Sequence, residues 1–201
     1  MLDLTNLFGA NRFMAILRGA ASAEKAVEQA NTAWDLGIEL VEIPIGEKSE
    51  VGYLAAVVEA GHRRGKVVGA GTVITATHVA MAAAAGARYT VAPGFDPAVR
   101  EASRSAGLPH LPGVATPSEV QQAWVAGCEW VKVFPASTLG PQWFSAIKGP
   151  FPRMRYLATG GVSLDAAAGY LDAGADIVAF GASAFKPDRT DDLVALLEKY
   201  R

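Results

Sequence analysis

Apolar residues in this chain gather into short runs separated by amphipathic stretches. Phe13-Met14-Ala15-Ile16-Leu17-Arg18, Leu40-Val41-Glu42-Ile43-Pro44-Ile45 and Val67-Val68-Gly69-Ala70-Gly71-Thr72 are too short for helices and favour an extended backbone, so each predicts a strand. Arg88–Ala92, Leu108–Leu111, Glu129–Phe134, Arg155–Ala158 and Ile177–Phe180 continue the series to eight. Between them the pattern predicts helices over Ser22–Leu36, Val51–Arg64, Thr75–Ala85, Asp96–Ala106, Pro117–Ala126, Gly140–Ile147 and Leu164–Ala173, with a last one over Thr190–Tyr200. A short amphipathic helix over Leu2–Gly9 precedes the first strand. Ser22 is suited to cap the helix it opens, and a glycine closes most of the others.

The closing glycines recur. Gly65, Gly86, Gly107 and Gly127 are 21, 21 and 20 residues apart, the length of one strand, one helix and two short loops. Successive strand–helix units imply parallel strands joined by helical crossovers. Eight of them close into an α/β fold of the (β/α)8 type, the TIM barrel, here with a short N-terminal helix. At 201 residues the chain suits one such domain, 1–201, with trimmed loops, since ~250 residues are typical. An open doubly wound sheet is the alternative, but no Gly-x-Gly-x-x-Gly opens the first helix.

Composition narrows the function. Hydrophobic residues make up 51% and charged residues 19%, which supplies a core and argues against disorder. A net charge of −2 with no basic run argues against nucleic acid as the main partner. The one cysteine, Cys128, has no internal disulfide partner, and His62, His78 and His110 are too scattered for a metal cluster, so neither metal nor cofactor is expected. No run reaches the ~20 apolar residues of a membrane span, and the N-terminus does not read as a signal peptide. A cytoplasmic setting is the expectation.

Against this background one lysine stands out. In Glu129-Trp130-Val131-Lys132-Val133-Phe134-Pro135 alternate residues share a face, so Trp130, Lys132 and Phe134 point one way and Val131 and Val133 the other. Desolvation works against an ammonium, and a free amine in an apolar pocket attacks a carbonyl to give a Schiff base. The structural alternative is a lysine whose stem packs while its head reaches solvent. Barrel active sites form at the C-terminal strand ends. There the chain places Arg18, Glu42, Thr72, Pro93, Lys132, Thr159-Gly160-Gly161 and Gly181-Ala182-Ser183. Glu42 reads as an acid/base or as a plain ion-pair partner for Lys132, and Arg18 as a substrate ligand or as the partner of Glu47. Glycines after strand seven and a helix start after strand eight form a common phosphate site in barrels.

Together these residues resemble the class I 2-keto-3-deoxy-6-phosphogluconate and 6-phosphogalactonate aldolases over nearly the whole chain. The resemblance rests on Ala15-Ile16-Leu17-Arg18, Val41-Glu42-Ile43-Pro44, Gly69-Ala70-Gly71-Thr72-Val73, Pro112-Gly113-Val114-Ala115-Thr116-Pro117, Val131-Lys132-Val133-Phe134-Pro135 and Thr159-Gly160-Gly161-Val162. It implies a pyruvate imine on Lys132, acid/base work by Glu42, a pyruvate end lined by Thr72, Pro93 and Phe134, and a phosphate site at Gly160, Gly161 and Ser183. The implied partner is a phosphorylated 2-keto acid, and the implied assembly a homotrimer. Many members carry a carboxylate-binding arginine four residues after the glutamate. Here that residue is Gly46, and Arg18 matches the variant in which the arginine ends strand one. The residue before the paired glycines tends to be threonine in phosphogluconate enzymes and valine in phosphogalactonate enzymes; Thr159 favours the former. Rival readings are a metal-dependent pyruvate aldolase, a phosphosugar isomerase, and a barrel that only binds a phosphorylated ligand.

Overall fold

Ten helices and nine short strands alternate through residues 3–47 and 49–200, which the computed structural model describes. In chain order they are α1 (Leu4–Phe8), β1 (Phe13–Ile16), α2 (Ala23–Asp35), β2 (Leu40–Pro44), α3 (Glu50–Arg63), β3 (Val68–Gly71), α4 (Ala76–Ala84), β4 (Thr90–Val91), α5 (Pro97–Ser105), β5 (His110–Leu111), β6 (Gly113–Val114), α6 (Pro117–Val125), β7 (Trp130–Val133), α7 (Ala136–Leu139), α8 (Pro141–Lys148), β8 (Arg155–Ala158), α9 (Ala167–Asp172), β9 (Ile177–Gly181) and α10 (Thr190–Lys199). Two 3-10 turns, Ala182–Phe185 and Pro187–Arg189, precede α10. The expected helix start at Leu2 lies outside the described residues. Ser22, Thr75, Asp96 and Thr116 cap their helices through side-chain oxygens. The four periodic glycines all have left-handed backbones, as helix-terminating glycines do.

All strand pairs are parallel, in the order β5-β4-β3-β2-β1-β9-β8-β7-β6. The two ends of that order, β5 and β6, are separated by Pro112 alone. They are one barrel stave broken in the middle. Its first half pairs with β4, and its second half pairs Gly113 with Lys132 of β7. Pro112 has no N–H to continue a ladder, but its carbonyl accepts from the Lys132 N–H (2.8 Å). The expected eighth-fold closure stands, while the expected end of the fifth strand at Leu111 is corrected: a proline signals a strand edge, and this edge is internal to a closed barrel.

Alternation along the staves makes two cores. Met14, Leu40, Tyr89, Val91, Leu111, Trp130, Leu157 and Ile177 fill the barrel, and Leu4 and Phe8 of α1 plug its N-terminal end. The Phe8 ring meets Tyr89 and Trp130 edge-on, with centroids 5.3 and 5.1 Å away. Val41, Ile43, Val131, Val133, Tyr156 and Ala158 pack outward under the helices. Glu42 and Lys132 each come two residues after an inner-core residue, Leu40 and Trp130, and so stand one layer higher on the same inner face. Other corrections are small: Thr72 and Arg18 lie beyond their strands, α9 starts at Ala167, and α7 was not expected.

Between β4, β5 and α5 a directed hydrogen-bond chain is buried. The Ser103 hydroxyl donates to the Leu108 carbonyl (2.9 Å), so it accepts from Thr90 (2.6 Å), which accepts from His110 Nδ1 (2.8 Å). Burial, reinforced by the nearby Arg100 charge, pushes His110 down to about 4. The folded protein then refuses a proton that the unfolded chain accepts below its ordinary value of about 6.5, so stability falls as pH falls from about 6.5 towards 4. Going from pH 7 to pH 5 should remove about 2 kcal/mol through this residue. Urea unfolding at the two pH values should show that loss in wild type and much less of it in His110→Asn; equal losses in both would refute the assignment.

Candidate active site

Lys132 is 7% exposed and Glu42 wholly buried, on staves separated by β1, β9 and β8 on one side and by β3 to β6 on the other. Across the barrel, Lys132 Nζ lies 3.6 Å from Glu42 Oε1. Neither carboxylate oxygen has a hydrogen-bond partner among the described residues. The lysine is therefore no snorkelling surface residue: its amine ends inside, beside an anion.

β3 makes room for that anion. A Cβ on Gly71 would come within 2.0 Å of Glu42 Oε1, and one on Gly69 within 2.1 Å of the Tyr89 ring. Tyr89 in turn donates to the carbonyl of Val41, the residue before Glu42 (2.9 Å). Burial and the Glu42 charge both push the Tyr89 phenol well up, so it stays a neutral donor. Sequence reading assigned no role to Gly69, Gly71 or Tyr89. The available signal was two glycines two residues apart in a strand, which leaves one face of the stave bare.

The other expected residues surround the mouth in two groups. Arg18 Nη2 donates to Thr72 Oγ1 (3.0 Å), and Arg18 has no ion pair among the described residues, so the pairing with Glu47 is not realised. Thr72 has φ +59°, a left-handed conformation that a β-branched residue adopts only under strain. Gly46 adjoins this pair, since a Cβ there would lie 3.4 Å from Thr72 Cγ2. Half-buried Pro93 follows β4, with its carbonyl against Gly113. In the second group, Phe134 is 39% exposed and its ring centroid lies 5.7 Å from Lys132 Nζ. Gly160 (φ +94°) packs on it: a Cβ there would come within 2.7 Å of the Phe134 ring. Thr159, two residues after the inner residue Leu157, is buried at the interior side of the mouth, and its hydroxyl has no hydrogen bond to described residues. Ser183 is exposed in the turn after β9, the stave beside β8. Among the described residues no cluster of acidic, histidine or cysteine side chains has the makings of a metal site, and no helix is long and apolar enough to cross a membrane.

A buried amine facing a buried carboxylate at the open end of an α/β barrel defines a barrel enzyme equipped for carbonyl chemistry. Residues 5–196 match the family described as "Aldolase: KDPG and KHG aldolase". The chain is 35% identical to the probable 2-dehydro-3-deoxy-6-phosphogalactonate aldolase of Rhizobium meliloti (strain 1021), over 87% of its own length and 82% of that protein's. It is 40% identical to the 2-dehydro-3-deoxy-phosphogluconate aldolase of Treponema pallidum (strain Nichols), over 52% of its own length and 50% of that protein's. Among solved structures it is similar to a KDPG aldolase from Legionella pneumophila with pyruvate captured at low pH as a covalent carbinolamine intermediate (TM-score 0.81, 26% identity, 96% of each chain). The chain belongs to the KDPG and KHG aldolase family, and it is a lyase of the class I aldolase type.

The glycine at 71 gives a direct test of the carboxylate's placement. Gly71→Ala should displace Glu42 and lower aldolase kcat at least tenfold. Steady-state kinetics check it, and a wild-type kcat would show that the carboxylate works from another position.

Proposed function

We propose that this aldolase cleaves 2-keto-3-deoxy-6-phosphogluconate to pyruvate and glyceraldehyde 3-phosphate through an imine on Lys132. The observation that carries the reading is the buried Lys132 amine 3.6 Å from the otherwise unpartnered Glu42 carboxylate. The Lys132 amine attacks the C2 ketone to form a carbinolamine, the species named in the Legionella pneumophila structure. Loss of water gives a protonated imine. Glu42 takes the proton of the C4 hydroxyl, the C3–C4 bond breaks, and its electrons flow to the imine nitrogen as an enamine. Glyceraldehyde 3-phosphate leaves, C3 takes a proton, and hydrolysis frees pyruvate and the amine. Acid/base help of this kind is worth ~10²–10⁴ in rate.

Arg18 holds the substrate carboxylate. Residue 46 and Arg18 both reach Thr72, which explains how an arginine at 18 replaces one at 46. Pro93 and Phe134 line the pyruvate end, and Gly160, Gly161 and Ser183 receive the phosphate through backbone N–H groups and a hydroxyl. The homotrimer and the cytoplasmic setting implied by the family belong to the same proposal.

The gluconate epimer is favoured by Thr159, whose unengaged hydroxyl lies at the interior side of the mouth and offers a partner for a substrate hydroxyl. A second reading, the galactonate epimer, is favoured by the name of the Rhizobium meliloti relative. A site built to bond a hydroxyl discriminates strongly against a substrate that misplaces it.

Two measurements test these assignments. Borohydride added with pyruvate should attach one reduced pyruvyl unit, mapped by mass spectrometry to Lys132; label elsewhere, or none, ends the imine proposal. Wild type should show the higher kcat/KM for the gluconate epimer, and Thr159→Val should lower the gluconate-to-galactonate ratio at least tenfold. A wild-type preference for galactonate would select the second reading, and an unchanged ratio in Thr159→Val would remove Thr159 from the discrimination.

A further inference from the structure

Beyond Lys132 the sixth and seventh barrel staves stay zipped together past the ends of β7 and β8. Thr159 N–H donates to the Val133 carbonyl (3.1 Å), Ala136 N–H to the Thr159 carbonyl (2.7 Å) and Ser137 N–H to the Gly160 carbonyl (3.0 Å). This extended ladder carries the first residues of α7 onto the paired glycines. Both glycines have left-handed backbones, φ +94° at Gly160 and +75° at Gly161. A Cβ on Gly161 would meet Ser137 Oγ at 2.5 Å and Ser137 Cβ at 3.1 Å. Gly161 is thus bare on the side where Ser137 sits.

Ser137 spends its backbone N–H on the ladder. Its hydroxyl is different: the residue is exposed, and Oγ makes no hydrogen bond to any described residue. An unspent O–H donor therefore sits beside the turn of the glycines, at the mouth of the barrel, five residues after the lysine on one continuous segment. The sequence reading assigned Ser137 nothing.

We propose that Ser137 is a substrate-binding and specificity-determining residue, its hydroxyl donating to the phosphate that Gly160, Gly161 and Ser183 receive. This rests on the phosphate site set out under the proposed function and adds a side-chain donor from the lysine-bearing stave. A charge-assisted hydrogen bond to a phosphate oxygen is among the stronger kinds. The ladder makes the placement rigid, since two backbone bonds hold residues 136–137 to 159–160 and a third ties Thr159 to Val133, next to Lys132. Distance between imine carbon and phosphate thereby becomes a ruler for substrate length.

The test compares the phosphorylated 2-keto-3-deoxy acid with its unphosphorylated counterpart in wild type and in Ser137→Ala, with inorganic phosphate as a competitive probe. Wild type should prefer the phosphorylated substrate. Ser137→Ala should raise KM for it on the order of tenfold and raise the phosphate inhibition constant similarly. Its kcat/KM for the unphosphorylated acid, and its pyruvate trapping by borohydride, should match wild type. Equal losses on both substrates, or no loss, would overturn the Ser137 assignment while leaving the phosphate site intact. A wild type with no preference for the phosphorylated acid would overturn the phosphate site itself, and the Ser137 assignment with it.

Discussion

The opposition of Lys132 and Glu42 inside the barrel is the constraint to which the rest of the structure answers. Two charges taken out of water gain enough from one another only when geometry is good, and removing one partner of such a pair costs about 3–5 kcal/mol. At 3.6 Å the pair is in contact electrostatically yet is not joined by a short hydrogen bond. The carboxylate is held by exclusion rather than by donors. Gly71 leaves it space, Tyr89 and Val41 fix the layer beneath it, and the inner core below is apolar. Such a group is free to accept a proton from a substrate, because no protein donor has claimed its lone pairs.

The barrel solves the placement with few residues. Strand alternation puts Glu42 above Leu40 and Lys132 above Trp130, so one apolar layer supports the polar one. The N-terminal end needs closing, and the five-residue α1 does it with Leu4 and Phe8. Pro112 breaks a stave in two and lets it lean on β4 at one end and on β7 at the other. The consequence falls on the site: the carbonyl of Pro112 holds the Lys132 backbone N–H, so the closure of the barrel and the position of Lys132 rest on the same interaction.

Around the mouth the fold stores its unusual backbone. Thr72 is strained next to Arg18, and the paired glycines curl under Phe134 and Ser137. These are the two groups of residues that surround the mouth of the barrel. Strain and close approach concentrate where a ligand is to be met, and ordinary helices with ordinary caps occupy the outside.

What the sequence by itself determined is whatever depends on near neighbours in the chain. The alternation at 130–134, the helix caps, the periodic stop glycines and the count of strand–helix units all follow from local steric preference and hydrophobic period, and they sufficed to place Arg18, Glu42, Thr72, Pro93, Lys132, Phe134, Thr159, Gly160, Gly161 and Ser183 at one end of a barrel. What only the tertiary structure decided depends on groups distant in sequence. No local signal says that Gly71 is bare because of an oxygen on residue 42, that Tyr89 braces Val41, that Arg18 rests on Thr72, or that the hydroxyl of Ser137 fills the space a side chain on Gly161 would take. A glycine in a sequence announces a missing side chain, but the atom that needs the space belongs to another stave, and only closing the barrel brings the two together.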